Sequence, residues 1–225
     1  MITELAESAE ARAQAEFDVE KLTDEPDIAS GAVAFDSDAK AFNSFLAGND
    51  GAFRALYDAY ERPLYLYLLR LVGSASDAED VFQEVWIRMH RMRGDLTPVR
   101  KFSGLLFTVA RNLSINALRD RKKRPDASVS LDLIMEYPQS FGREALSTRR
   151  DVDDSDLRDM LERALMQLPV VQREAFILRE YFGYSYQEIA DIMSTPMVTA
   201  KTRSWRGRER LRKMISAWTE LKHSE

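Results

Sequence analysis

Residues 77–92 read DAEDVFQEVWIRMHRM. Turned at 100° per residue, Val81, Phe82, Val85, Met89 and Met92 fall on one side, with Trp86 at its edge. That spacing commits the segment to a helix with a buried stripe. The opposite side holds Asp80, Gln83, Glu84, Ile87 and Arg91. Carboxylates there fit a solvated face, but Ile87 is an apolar β-branched residue set against the core side. Solvent and a docked partner are both open readings of this strip.

The helical pattern extends from Ala41 to about Arg121. Asp50 is placed to cap a helix over 51–72, with a break or kink at Pro63 and a stop at Gly73. Ser76-Asp77-Ala78-Glu79 has the form of a capping box, in which the Ser and Glu side chains each satisfy a free backbone N–H. Gly94 to Pro98 forms a loop, and a further helix covers 102–121. Residues 122–155 contain two prolines, several serines and mixed charge without a sustained period, which describes a linker. Helical pattern resumes over 156–219. Pro169 suits a first helical turn, and Gly183 suits a stop. Ser185-Tyr186-Gln187-Glu188 forms a second capping box, opening a short helix to Met193. Thr195 and Pro196 read as the cap and first position of a last long helix.

This pattern predicts an all-α fold of two small helical domains on a flexible linker. Its parts are a leader over 1–38, a first domain over 39–124, a linker over 125–155, a second domain over 156–219 and a tail over 220–225. The low glycine and proline counts, 9 and 7 in 225 residues, argue against an all-β alternative.

Charge narrows the function. The chain totals −5, but its first 38 residues hold eleven acids and two bases, so the remaining chain is net +4. Within it, 111–124 has six bases against one acid, and 199–213 has seven against one. Two such patches suit one extended polyanion touched at two places, or two solvated helix faces. The acidic leader reads as a solubilising tail or as a screen for those patches.

The short capped helix, tight turn and long helix near the C-terminus form a helix-turn-helix arrangement. Ile189, Ala190 and Met193 are expected to face inward on the first. Met197, Ala200, Ser204, Gly207 and Leu211 share one side of the second. Its other side holds Val198, Lys201, Thr202, Trp205, Arg206 and Glu209. Lysine, arginine and threonine can contact base edges and phosphates, and valine can meet a thymine methyl. Trp205 belongs to that reading face or to a satellite core contact.

Enzymatic classes find no support. There is no cysteine, and the only histidines are His90 and His223. No glycine-rich phosphate loop or metal carboxylate pair is present, and no cofactor is expected. No apolar run approaches a membrane span, and the N-terminus lacks a secretory pattern, so the expected location is cytoplasmic, without membrane insertion.

Several segments resemble bacterial sigma factors of the extracytoplasmic-function (ECF) group of the sigma-70 family. Asp77-Ala-Glu-Asp-Val-Phe-Gln-Glu-Val-Trp86 and Leu106-Phe-Thr-Val-Ala-Arg-Asn-Leu113 resemble region 2. Leu168-Pro169, Gln172-Arg-Glu, Leu178-Arg-Glu and Tyr186-Gln-Glu-Ile-Ala190, followed by Pro196 through Arg203, resemble region 4. The likeness covers roughly 40–124 and 156–216, two independent blocks in the family's order. It implies a transcription initiation factor that binds core RNA polymerase, recognises −10 and −35 promoter DNA and assists melting. By position, Asp80, Gln83, Glu84 and Ile87 match the face docking on the largest-subunit coiled coil; the polymerase flap region is implied as a further contact. Asn112 matches a −10 base reader, with Phe107 and Val109 near its pocket. Arg119, Arg121, Lys122 and Lys123 would hold −10 phosphates. Val198, Lys201, Thr202, Trp205 and Arg206 match the −35 face. The family also brings an inhibitory anti-sigma factor as a candidate partner. The chain departs from the family with Leu105 for a frequent Trp, Ser194 and Thr195 for Gly and Ile, Val198 for Gly and Ala200 for Val. The competing reading is a polymerase-independent helix-turn-helix regulator that binds a palindromic operator as a dimer.

Overall fold

A computed structural model describes residues 35–121 and 153–222. The readings of the leader over 1–34 and of most of the linker, with Lys122 and Lys123, lie outside the described residues. The rest is helical: α1 (Phe35–Leu46), α2 (Asp50–Val72), α3 (Ala75–Arg91), a 3₁₀ turn (Met92–Gly94), α4 (Phe102–Arg121), α5 (Asp153–Gln167), α6 (Val170–Glu180), α7 (Tyr186–Ile192) and α8 (Met197–Lys222).

Local chemistry sets the boundaries, with corrections to the sequence reading. The cap of α2 is Asn49, not Asp50; its side chain accepts the Ala52 N–H at 3.3 Å. The helix runs through Pro63 without interruption. A proline there forfeits one backbone hydrogen bond, but every residue from Leu64 to Val72 is buried, and that packing holds the helix together. Gly73 does close it, at φ 72°, donating its N–H to Leu69 O. The cap of α3 is Ser74, whose hydroxyl accepts from Asp77 N–H, so the Ser76–Glu79 box does not form. An earlier serine with an acceptor in reach took the role. The Ser185–Glu188 box forms completely: Glu188 N–H donates to Ser185 Oγ at 3.3 Å, and Ser185 N–H donates to Glu188 Oε2 at 2.8 Å. Pro169 stands just ahead of α6 as its cap residue, and α8 begins at Met197, one residue after Pro196.

The first unit packs α2 against α1, α3 and α4 around Phe42, Phe45, Leu64, Leu68, Val85, Met89, Phe102 and Leu106. Trp86 is buried, against Phe53 and Tyr57. Met92 is only half-buried, because the 3₁₀ turn takes it out of the α3 register. In the second unit, α8 crosses α6 where Gly207 is closest. A Cβ at Gly207 would stand 2.9 Å from Gln172 O and 3.3 Å from Phe176 Cβ. Glycine is therefore the residue that lets the two helices approach.

The two units pack against each other. One continuous apolar cluster joins the first-unit core to Ala175, Ile177, Leu178, Tyr184, Ile189 and Met193. Phe107 of α4 is 1% exposed and makes edge contacts with Tyr67, Phe182 and Tyr184, at ring separations of 5.0, 5.2 and 5.7 Å. Arg173 Nη2 donates to Leu71 O at 2.7 Å. Arg70 pairs with Glu162 at 2.9 Å and stacks 4.0 Å from the Tyr181 ring. Lys101 pairs with Glu188. Nothing in the helical periodicity alone announces this docking.

Candidate nucleic-acid interface

Three exposed surfaces carry the predicted site residues. On α3, the buried stripe (Val81, Phe82, Val85, Trp86, Met89) turns Asp80, Gln83, Glu84 and Ile87 outward. Ile87 is 43% exposed, so an apolar side chain sits in water beside two carboxylates and an amide. Ile87 stands alone among polar side chains on this face, which a solvated surface tolerates and a docked partner would cover.

On α4, Phe102, Leu106, Phe107, Ala110 and Ser114 are buried, which leaves Asn112 exposed. Val109 is half-buried. Phe107 does not line an open pocket: its ring is taken up by the docked second unit. Arg119 is exposed, whereas Arg121 is partly covered and pairs with Asp77 at 3.3 Å. Of the predicted phosphate contacts among the described residues, Arg119 is thus presented directly, and Arg121 must exchange an existing partner.

On the helix-turn-helix, Ile189, Ala190 and Met193 are buried as expected. Ala200, Ser204, Gly207 and Leu211 are also buried against the preceding helices, but Met197 is 48% exposed, contrary to its assignment to the packing side. It stands at the first residue of α8. The opposite face presents Lys201 and Arg206, with Thr202 half-buried and donating its hydroxyl to Val198 O at 2.8 Å. Val198 is 70% exposed and Trp205 60%, which removes the satellite-core reading of Trp205. A bulky apolar pair flanked by two cations on a helix face suits major-groove insertion. The turn before α8 holds Ser194 at φ 48°, a left-handed conformation that favours glycine.

Residues to which the sequence reading gave no individual role lie between the units. Glu174 is fully buried. Its Oε1 faces Arg111 Nε at 2.9 Å and accepts the Tyr67 hydroxyl at 3.3 Å, while Oε2 has no hydrogen-bond partner. Burial pushes its carboxyl up to about 7, against the pull of Arg111, Tyr67 and Arg203. Burial likewise lowers Arg173 to about 10. The signal was present: Arg70 sits inside LYLYLLRLV and Arg173-Glu174 inside VVQREAFIL, charges within apolar runs that need partners.

Residues 56–124 match the Sigma-70 region 2 family and residues 158–211 the Sigma-70, region 4 family. The chain is 31% identical over 173 residues to the ECF RNA polymerase sigma factor SigW of Bacillus subtilis, an alignment covering 75% of this chain and 91% of that one. It is 33% identical to the RNA polymerase sigma-H factor of Pseudomonas aeruginosa, over 75% of this chain and 88% of that one. The chain is an ECF sigma factor of the sigma-70 family. It performs no covalent chemistry, and it directs RNA polymerase to promoters. That displaces the reading as a polymerase-independent regulator. The fold is also that of the structure of CnrH in complex with the cytosolic domain of CnrY, with a TM-score of 0.60 at 20% identity, over 81% of this chain and 99% of that one. Among the described residues of this sigma factor, no helix is long and apolar enough to cross a membrane.

Proposed function

We propose that the three exposed surfaces divide the work of initiation as follows. Asp80, Gln83, Glu84 and Ile87 dock the first unit on the coiled coil of the largest polymerase subunit. Asn112 reads a −10 base, with Val109 and Phe107 supporting it, and Arg119, Arg121, Lys122 and Lys123 hold the adjacent phosphates. Val198, Lys201, Thr202, Trp205 and Arg206 enter the −35 major groove, and the second unit contacts the polymerase flap region. The unit boundaries are proposed as 39–124 and 156–219, with the linker between.

The observation that carries this reading is the exposure of Ile87, Val198 and Trp205, large apolar side chains on otherwise charged faces. Solvation alone does not account for them, while a protein partner at Ile87 and a base-edge surface at Val198 and Trp205 do. An inhibitory protein that covers these same surfaces is part of the proposal. Its support is the similarity in fold to the sigma factor RpoE of Bartonella quintana, solved in complex with the anti-sigma factor NepR, with a TM-score of 0.57 at 24% identity.

The test of the first surface is Asp80→Arg. The residue is exposed and contributes nothing to the core, so the helical signal and melting temperature stay at wild-type values. Co-purification with core polymerase should fall by about tenfold or more, the size expected when a rim charge meets its like. Unchanged co-purification would remove Asp80 from the docking surface.

A further inference from the structure

We propose that α8 reads its DNA element by the C5 methyl groups of pyrimidines. Val198 seats on one methyl and Trp205 on another, so that thymine or 5-methylcytosine is bound and a pyrimidine without the methyl is bound less well. The inference rests on the assignment of α8 as the −35 reader made above, and it supplies the chemistry that helix reads.

The arrangement of the face carries this reading. At 100° and 1.5 Å per residue, Val198 and Trp205 lie within about 20° of one another around α8 and about 10 Å apart along its axis. They are 70% and 60% exposed, so both large apolar surfaces are available to a ligand. The polar side chains near the same line are engaged. Thr202 donates its hydroxyl to Val198 O at 2.8 Å, a bond back to the preceding turn. Glu209, one turn past Trp205, pairs with Arg212 at 3.2 Å. The centre of the face thus presents carbon where hydrogen-bonded base reading would place free amides or guanidinium groups. Lys201 and Arg206 are exposed and stand to either side, about 60° and 80° around the helix from Val198. From there they can hold phosphates while the centre rests on base edges.

The major groove offers such a face few fitting contacts. Adenine, guanine and cytosine present nitrogen and oxygen atoms there, and thymine adds a methyl group. An apolar side chain laid over the polar edges strips their water and returns no hydrogen bond, which costs free energy. Laid over a methyl it removes apolar surface from water on both sides. Base pairs repeat every 3.4 Å or so, so two side chains about 10 Å apart along a helix in the groove meet bases about two to three pairs apart. Cytosine methylated at C5 carries the same group at the same atom, and the face has no means of refusing it by shape.

The test uses holoenzyme assembled from the full chain and purified core polymerase. Its probes are duplexes whose upstream element has been selected from a promoter library by run-off transcription. Each thymine of that element, in either strand, is replaced singly by deoxyuridine, which removes the methyl and keeps every hydrogen-bonding atom. Wild-type binding should weaken about fourfold, the size of one buried methyl group, at two positions about two to three base pairs apart. Val198→Ala should erase the penalty at one position and Trp205→Ala at the other. Both residues are exposed, so melting temperatures should stay at the wild-type value. At the same positions, a cytosine duplex should gain about the same factor on conversion to 5-methylcytosine, and the matching variant should lose that gain. A uracil penalty at no position, or one that survives in both variants, would overturn the methyl reading and leave α8 reading through Lys201 and Arg206. A selection that enriches no upstream element would instead remove the −35 assignment, and this proposal with it.

Discussion

Ser194 holds a φ of 48° in the turn between α7 and α8, a left-handed conformation that glycine adopts most readily. A side chain in the left-handed region costs roughly 1 kcal/mol relative to glycine. Nothing among the described hydrogen bonds uses the Ser194 hydroxyl to offset that strain, while its N–H is held by Asp191 O at 3.2 Å. Ser194→Gly should therefore stabilise the second unit slightly, by about 0.5–1 kcal/mol, with a melting temperature raised by a few degrees. Calorimetry reads it; a lower melting temperature would show that the serine serves the turn. The conflict is legible in the amino-acid sequence, because Ser stands between two helix patterns where the chain must reverse. The residue that caps α3 is not legible there: Ser74 and Ser76 both precede an acidic turn, and only the packing of Val81 and Phe82 fixes the register.

At the scale of elements, the long helix α8 combines close packing with display. Its packed side narrows to Ala200, Ser204 and Gly207, small residues that seat it on α6 and so aim Lys201, Trp205 and Arg206 outward. Gly207→Ala would put a methyl 2.9 Å from Gln172 O. Backbone must shift there, and the expected cost is about 1–3 kcal/mol of second-unit stability, seen in chemical denaturation as a lower midpoint. An unchanged midpoint would mean that the α6–α8 crossing has slack. The reading side of α8 follows correctly from its angular positions, since exposed and buried residues separate by helical phase. Met197 escapes that argument: it shares the phase of buried Ala200 and Ser204 but is 48% exposed at the helix start. Pro63 departs from expectation for a related reason: burial of the following nine residues outweighs one lost hydrogen bond, and burial of that kind is tertiary.

In the whole molecule, the arrangement of the two units is the least legible feature. Their existence and order follow from two helical blocks and a breaker-rich stretch. Their docking depends on pairs far apart in sequence, Arg111 with Glu174 and Arg70 with Glu162. Arg70 and Glu174 sit within apolar runs, which signals a buried partner without saying where it is. The docked state carries a pH dependence. Glu174 is raised from the ordinary carboxylate range to about 7, with Arg111, Tyr67 and Arg203 facing it. The docked form therefore holds more protons than the separated form between about pH 4.5 and 7, and docking weakens as pH rises through that window. With spin labels at the exposed positions Ala55→Cys on α2 and Gln167→Cys on α5, the distance distribution should shift toward longer values from pH 5.5 to pH 8; the opposite trend would mean that the ion pair, not burial, governs Glu174.

Run-off transcription with purified core polymerase and a promoter library tests the central claim most directly. The chain should direct initiation at sites with two separated elements. Lys201→Ala combined with Arg206→Ala should reduce it selectively at promoters that depend on the upstream element, and should flatten the salt dependence of binding by about two phosphate contacts. Equal transcription by wild type and the double variant across the library would contradict the assignment of α8 as the upstream reader.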